Sequence, residues 1–92
     1  MPNVRSQTIT DDSLTIVASD GRTYSVTRLE ILANYALQTG TPPQRKQKCI
    51  DWVKESVEAA LGAEQVPASL INLDVSDVTG KVTTCQLLSE PL

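Results

Sequence analysis

Apolar and polar residues alternate along two short segments that flank an Asp-Gly dipeptide near the N-terminus. The alternating residues are Leu14, Ile16 and Ala18 before the dipeptide, and Arg22, Tyr24 and Val26 after it. A period of two is typical of half-buried strands, and Asp20-Gly21 favours a two-residue type I′ turn between them. The pattern therefore predicts a β-hairpin over residues 13–26. Residues 1–12 are expected to be flexible or to form a short edge strand.

A helix is predicted directly after this hairpin. Thr27 and Glu30 have the spacing of a capping box, which satisfies free backbone donors at a helix N-terminus, so the helix should begin at Arg28. Gly40 is the expected C-cap. One apolar stripe runs along this helix at the i, i+3, i+4, i+7 and i+8 spacing. Its members are Leu29, Leu32, Ala33, Ala36 and Leu37.

A second helix start follows at once. Thr41 is the expected N-cap, Pro42 the first helical residue, and Gln44 stands three residues after the cap. The helix should run to Leu61, with Gly62 ending it. Residues on one side of this helix form a stripe of the width expected for a core-facing surface. They are Cys49, Ile50, Val53, Val57, Ala60 and Leu61.

The C-terminal third of the chain predicts a second hairpin. Ile71, Leu73 and Val75 alternate with polar residues, and a turn over residues 77–80 reverses the chain into a strand that ends at Leu88. The order of elements predicts an α+β fold. We expect one antiparallel sheet from two β-hairpins (order ββααββ), with a two-helix hairpin packed on one of its faces.

Length and composition limit the number of domains and the class of protein. A chain of 92 residues is too short to divide its apolar surface between two cores, so residues 1–92 are expected to form a single domain. The net charge of −3 disfavours the coating of nucleic acid. No segment resembles a signal peptide or reaches the roughly 20 apolar residues of a membrane span. These features predict a soluble, cytoplasmic protein.

Residues that could support catalysis or bind a metal are scarce. The sequence has no His, which removes the commonest general base and metal ligand. Cys49 and Cys85 are too few for a structural zinc site; two buried, reduced thiols are the favoured interpretation, and a disulfide is the alternative. The oxygen-rich segment before Gly80 lacks the spacing of a calcium-binding loop. We therefore predict no catalytic residue, no cofactor, no metal and no small-molecule ligand.

Three cations at the start of the second helix break a local rule. Arg45, Lys46 and Lys48 lie where the helix macrodipole disfavours positive charge. A helix N-terminus attracts anions, so these residues are candidates for binding a phosphate, a nucleic-acid backbone or an acidic protein. The alternative is a solvated face in which Lys48 meets Asp51.

Ile31, Tyr35 and Trp52 are candidate interface residues. Ile31 and Tyr35 stand four residues apart beside the apolar stripe of the first helix, and Trp52 lies just beyond the core-facing stripe of the second. If uncovered, they would form an apolar patch suited to a protein partner or to self-association, because Trp and Tyr are favoured interface anchors. A sheet of four or more strands would instead cover them.

These features together predict a non-enzymatic structural or protein-interaction protein that can form oligomers. Its size and its lack of catalytic groups fit a small virion or accessory protein of a bacteriophage, placed in the cytoplasm or in a virion assembled there. The alternative is a small regulator or inhibitor that binds nucleic acid, or an enzyme acting on nucleic acid, through the basic helix N-terminus.

Overall fold

The computed structural model describes residues 4–87, without the side chain of Arg5. Within this range, five strands, two α-helices and one 3-10 turn follow one another. They are β1 (Val4–Ile9), β2 (Ser13–Ala18), β3 (Thr23–Thr27), α1 (Arg28–Leu37), α2 (Pro42–Leu61), the 3-10 turn (Ala68–Leu70), β4 (Ile71–Val75) and β5 (Val82–Leu87). The described part of the chain is thus a small α+β fold with two antiparallel sheets and two helices.

The N-terminal sheet contains three antiparallel strands in the order β1-β2-β3. Leu14 lies opposite Val26 and Ile16 opposite Tyr24 across the β2–β3 pair. Because successive side chains of a strand point to opposite faces, these residues share the face that turns to the core. The short edge strand that was one expectation for residues 1–12 is present as β1, Val4–Ile9.

The β2–β3 hairpin is confirmed, but its turn differs from the predicted type. The Gly21 amide donates to the Ala18 carbonyl at 3.0 Å, and the Ala18 amide donates to the Arg22 carbonyl at 2.8 Å. The loop therefore holds the three residues 19–21. Gly21 has a φ of 94°, and no non-glycine residue in the described part of the chain has a positive φ. The predicted type I′ turn is wrong, because it requires a positive φ at Asp20 as well.

β4 and β5 form a separate two-stranded sheet. Ile71, Leu73 and Val75 are buried and the residues between them are exposed, which confirms the predicted alternation. The two hairpins do not join into the single sheet that we expected. Where β1 approaches β5, the Gln7 side chain donates from Nε2 to the Cys85 carbonyl at 3.1 Å. In one continuous sheet, the backbone amide of a neighbouring strand would donate to such a carbonyl.

Both helices begin at the predicted residues. The Thr27 hydroxyl accepts a hydrogen bond from the Glu30 amide at 3.2 Å at the start of α1. At the start of α2, Thr41 and Gln44 form a complete capping box. Local sequence is sufficient for these caps, because all of their donors and acceptors lie within four consecutive residues.

Of the two predicted helix C-caps, the one for α2 is confirmed and the one for α1 is wrong. α2 ends at Leu61, and Gly62 is its C-cap with a φ of 90°, as predicted. α1 ends at Leu37, and its C-cap is Gln38 instead of Gly40. Gly40 has a φ of 111° and lies in the loop between the helices.

α2 is the helix that covers the core. It contacts β2, β3 and β4, and its buried residues are Cys49, Ile50, Val53, Val57 and Leu61. These are the predicted core-facing residues except Ala60, which is exposed. α1 contacts α2 and β3, and among its residues, all of them described, Ile31 alone is buried.

Candidate interaction surface

The apolar stripe predicted for α1 mostly faces away from the core. Leu29 is 62% exposed and Leu37 is 80% exposed. Ala33 and Ala36, which lie between them along the stripe, are exposed as well. Of the predicted stripe, only Leu32 is half-buried. The result is a row of exposed apolar side chains two helical turns long.

A different side of α1 packs inward. Ile31 is 1% exposed, and its neighbours Leu32 and Tyr35 on the same side of the helix are half-buried. This side carries three large side chains, whereas the outward stripe includes two alanines. Hydrophobic stabilisation scales with the apolar area removed from water, so burial of the bulkier side is favoured.

A groove runs between the exposed stripe and α2. It has a volume of about 380 Å³ and is lined by Glu30, Ala33, Asn34, Leu37 and Trp52. Trp52 is half-buried, with one part against the core and another part in the groove. We call the exposed stripe and this tryptophan together the α1 face. Its members are Leu29, Ala33, Ala36, Leu37 and Trp52.

Of the three interface residues predicted from the sequence, Trp52 remains on this surface. Ile31 lies in the core, and Cys49 Sγ donates to its carbonyl at 3.5 Å. Tyr35 is half-buried, and the Arg45 guanidinium covers its ring at 4.3 Å from the centroid. Sequence reasoning missed the exposure of Leu29 and Leu37. The available signal was the difference in side-chain bulk between the two apolar sides of α1.

The three basic residues of α2 bind partners within the chain. Arg45 Nη2 donates to the Tyr35 carbonyl at 3.2 Å, and Lys46 pairs with Asp74 of β4 at 3.1 Å. Lys48 Nζ donates to the Thr39 carbonyl at 2.9 Å. Arg45 and Lys48 thus both turn to the C-terminal end of α1, whereas Lys46 turns to β4, so the three side chains do not form one basic patch.

The position of these cations has an electrostatic explanation. Tyr35 and Thr39 lie in the last turn of α1 and just beyond it, where the macrodipole of α1 is negative. The last turn of α1 carries no basic residue of its own. Positive charges that are unfavourable at the start of α2 therefore stabilise the end of α1. The predicted contact of Lys48 with Asp51 is replaced, since Asp51 accepts from Gln47 Nε2 at 2.9 Å.

The cysteines are buried and unpaired, as the favoured interpretation had it. Burial raises the pKa of the Cys49 thiol and of the Cys85 thiol. Both thiols are consequently protonated at neutral pH and are weak nucleophiles. Among the residues that the structure describes, no three His, Cys, Asp or Glu side chains converge as metal ligands. Within residues 4–87, neither helix combines the length and hydropathy of a membrane-spanning segment.

The comparisons with known proteins were negative. No protein-family model matches this chain, and no curated protein or solved structure matches it significantly. The non-enzymatic role, the bacteriophage origin, the cytoplasmic location and the nucleic-acid alternative therefore stay predictions.

Proposed function

We propose that this chain is a non-enzymatic protein-interaction domain that binds its partner through the α1 face. The observation that carries the proposal is the exposure of Leu29 and Leu37, two turns apart on one helix whose core contacts are made by other residues. Contiguous apolar patches larger than a few hundred Å² are uncommon on monomeric proteins, and such patches mark interaction sites. Burial of this row against a partner would remove it from water.

The surroundings of the stripe support the same role. Trp52 offers a large, half-buried aromatic surface in the groove, and tryptophan is enriched among residues that dominate binding energy. Glu30 and Asn34 line the groove beside it. An apolar centre with polar groups at its edge is the usual composition of a protein interface. In this proposal, α1 and α2 form a helical hairpin in which α2 covers the strands and α1 is presented to the partner.

Binding of nucleic acid through Arg45, Lys46 and Lys48 is the less favoured function. Each of these cations is engaged with a carbonyl or a carboxylate of the chain itself. Arg45 and Lys48 turn to the end of α1 whereas Lys46 turns to β4, so the three cations do not present one common surface to a phosphate backbone. Such binding would weaken steeply with salt, because each neutralised phosphate releases counterions.

A capture experiment with matched surface variants tests the proposed function. The chain is immobilised and exposed to an extract of its source cells in four forms: native, Leu29→Lys, Leu37→Lys and Val78→Lys. Val78 is 81% exposed in the β4–β5 turn, so it matches Leu37 in exposure but lies off the α1 face. We expect a partner that the native and Val78→Lys forms retain and that both α1 variants lose by about tenfold or more.

The capture result can also contradict the proposal. Retention of the same proteins by all four forms would show that the α1 face is not the binding surface. Loss that is equal for Val78→Lys and Leu37→Lys would show non-specific adsorption to exposed apolar side chains. Far-ultraviolet circular dichroism of each form is the folding control.

A further inference from the structure

We infer that the partner of the α1 face is a second copy of this chain, with the two α1 helices packed antiparallel about a twofold axis beside Ala33. This inference rests on the proposed function and names its partner. A twofold interface brings the same patch of each copy together, so the patch must be complementary to itself. The α1 face meets this requirement in shape and in charge.

The shape of the stripe is symmetric about Ala33. Leu29 stands four residues before Ala33 and Leu37 four residues after it, and all three are exposed. In an antiparallel pair centred on Ala33, Leu29 of each copy meets Leu37 of the other. The small Ala33 side chains meet at the centre, which lets the helix axes approach to roughly 8–10 Å, the usual packing distance.

Side chains of opposite charge lie at the two ends of α1. Glu30 is in its first turn and lines the groove. Lys48 of α2 lies beside the other end of α1, where its Nζ binds the Thr39 carbonyl just beyond the last turn. Antiparallel packing would therefore place Glu30 of each copy beside Lys48 of the other, in two equivalent ion pairs. Parallel packing would instead place like charges and like helix-dipole ends together.

The size of the surface limits the affinity. Stable dimers bury about 800 Å² on each partner, more than one ten-residue helix and a tryptophan can supply. Each copy also carries a net charge of −3, which opposes association. We expect a reversible dimer with a Kd on the order of 10–1000 μM.

Sedimentation equilibrium with charge-exchanged variants tests the inference. Glu30→Lys alone and Lys48→Glu alone replace both ion pairs of a homodimer by like-charge contacts, so each should raise the Kd by about tenfold. An equimolar mixture of the two variants should regain native affinity. In the mixed dimer, the two substituted side chains face each other with exchanged charges, and the unaltered Lys48 faces the unaltered Glu30. Lys54→Glu changes the net charge as Lys48→Glu does and should leave the Kd within about twofold of native.

The outcomes separate this inference from the proposed function. A native chain that stays monomeric up to millimolar concentration, or a mixture that associates no better than its components, overturns the second copy as partner. Recovery in the mixture supports it and also shows that both variants are folded. The loss of a captured partner on Leu37→Lys is independent of this result, so a monomeric chain with such a partner retains the proposed function.

Discussion

The two helices carry apolar stripes of the same kind, yet only the stripe of α2 faces the core. α2 is apolar on one side and charged on the other, so only one orientation buries apolar area. α1 has apolar residues on two sides, one with Ile31 and Tyr35, the other with Leu29 and Leu37. Periodicity therefore identifies the apolar sides of a helix, but it does not identify which side is buried when there are two.

The helices also differ in how they are attached. α2 buries five side chains, whereas α1 buries only Ile31 and is also contacted at several of its backbone carbonyls. Cys49 Sγ donates to the carbonyl of Ile31, and the Arg45 guanidinium donates to that of Tyr35. Gly80 packs directly against the carbonyl of Arg28 in the first turn of α1. We expect perturbation of α2 to act on global stability and perturbation of α1 to act chiefly on binding.

The sharpest test of this difference compares the last residues of the two helices. Leu61 ends α2 and is 0% exposed, whereas Leu37 ends α1 and is largely exposed. Leu61→Ala should lower the free energy of unfolding by about 3–4 kcal/mol, because it leaves a cavity in the core. Leu37→Ala should change it by less than about 0.5 kcal/mol. Urea denaturation measures both values, and similar losses from the two variants would refute the assignment of Leu37 to the surface.

A second test concerns the attachment of α1 to the β4–β5 turn. A Cβ on Gly80 would lie 2.2 Å from the Arg28 carbonyl oxygen and 2.7 Å from Leu32 Cγ, at a φ of 76°. Gly80→Ala should therefore cost about 2–3 kcal/mol. Gly21 also has a positive φ, but a Cβ there meets no atom within 4 Å, so Gly21→Ala should cost about 1 kcal/mol. Equal losses of unfolding free energy for the two variants would mean that the β4–β5 turn can shift away from α1 at little cost.

A third test uses Tyr24, on the strand that both helices contact. Burial raises the pKa of Tyr24 to about 12, with a smaller rise from the Glu30 charge and a lowering by the Ser56 hydroxyl. The ordinary pKa of a tyrosine side chain is 10.0, so the folded state retains the proton over a range in which the unfolded state loses it. Stability should be unaffected by Tyr24 below pH 10 and should fall by about 2 kcal/mol as the pH rises toward 12.

The control for this pH dependence is Tyr24→Phe. The two buried thiols also lower the free energy of unfolding as the pH rises, because burial raises the pKa of each. Both thiols are present in the variant, so the difference in unfolding free energy between the native chain and Tyr24→Phe reports on the tyrosine alone. Denaturation curves recorded across the alkaline range give that difference. A difference that stays constant across the range would mean that Tyr24 titrates alike in both states.

The smallest expected effect concerns the cations that α2 supplies. Arg45 covers the Tyr35 ring and donates to the Tyr35 carbonyl, so Arg45→Ala should cost about 1–2 kcal/mol. Lys46 forms a surface pair with Asp74, and Lys46→Ala should cost about 0.5 kcal/mol or less. Thermal unfolding of the two variants under identical conditions decides the order. A larger loss for Lys46 would contradict the proposed stabilisation of the α1 C-terminus by Arg45.

Much of the local structure could be predicted from the sequence, because the interacting groups are neighbours along the chain. The caps at Thr27 and Thr41, the end of α2 at Leu61 and the strand alternation at Ile71 need no information from distant residues. The hairpin around Gly21 is also local, although its loop holds three residues and not the predicted two. For the candidate site, the sequence identified Trp52 by its position at the border of the core-facing stripe of α2.

Tertiary structure decided the features that depend on competition between distant groups. The orientation of α1 depends on which of its two apolar sides buries more area against β3 and α2, and the bulkier side with Ile31 prevails. The partners of Arg45 and Lys48 are carbonyls on another helix and in the loop after it. The division of the strands into two sheets depends on where β1 meets β5, a contact between residues almost as far apart as the described chain allows. The local sequence pattern does not determine any of these features, because each depends on the relative energies of alternative packings of the whole chain.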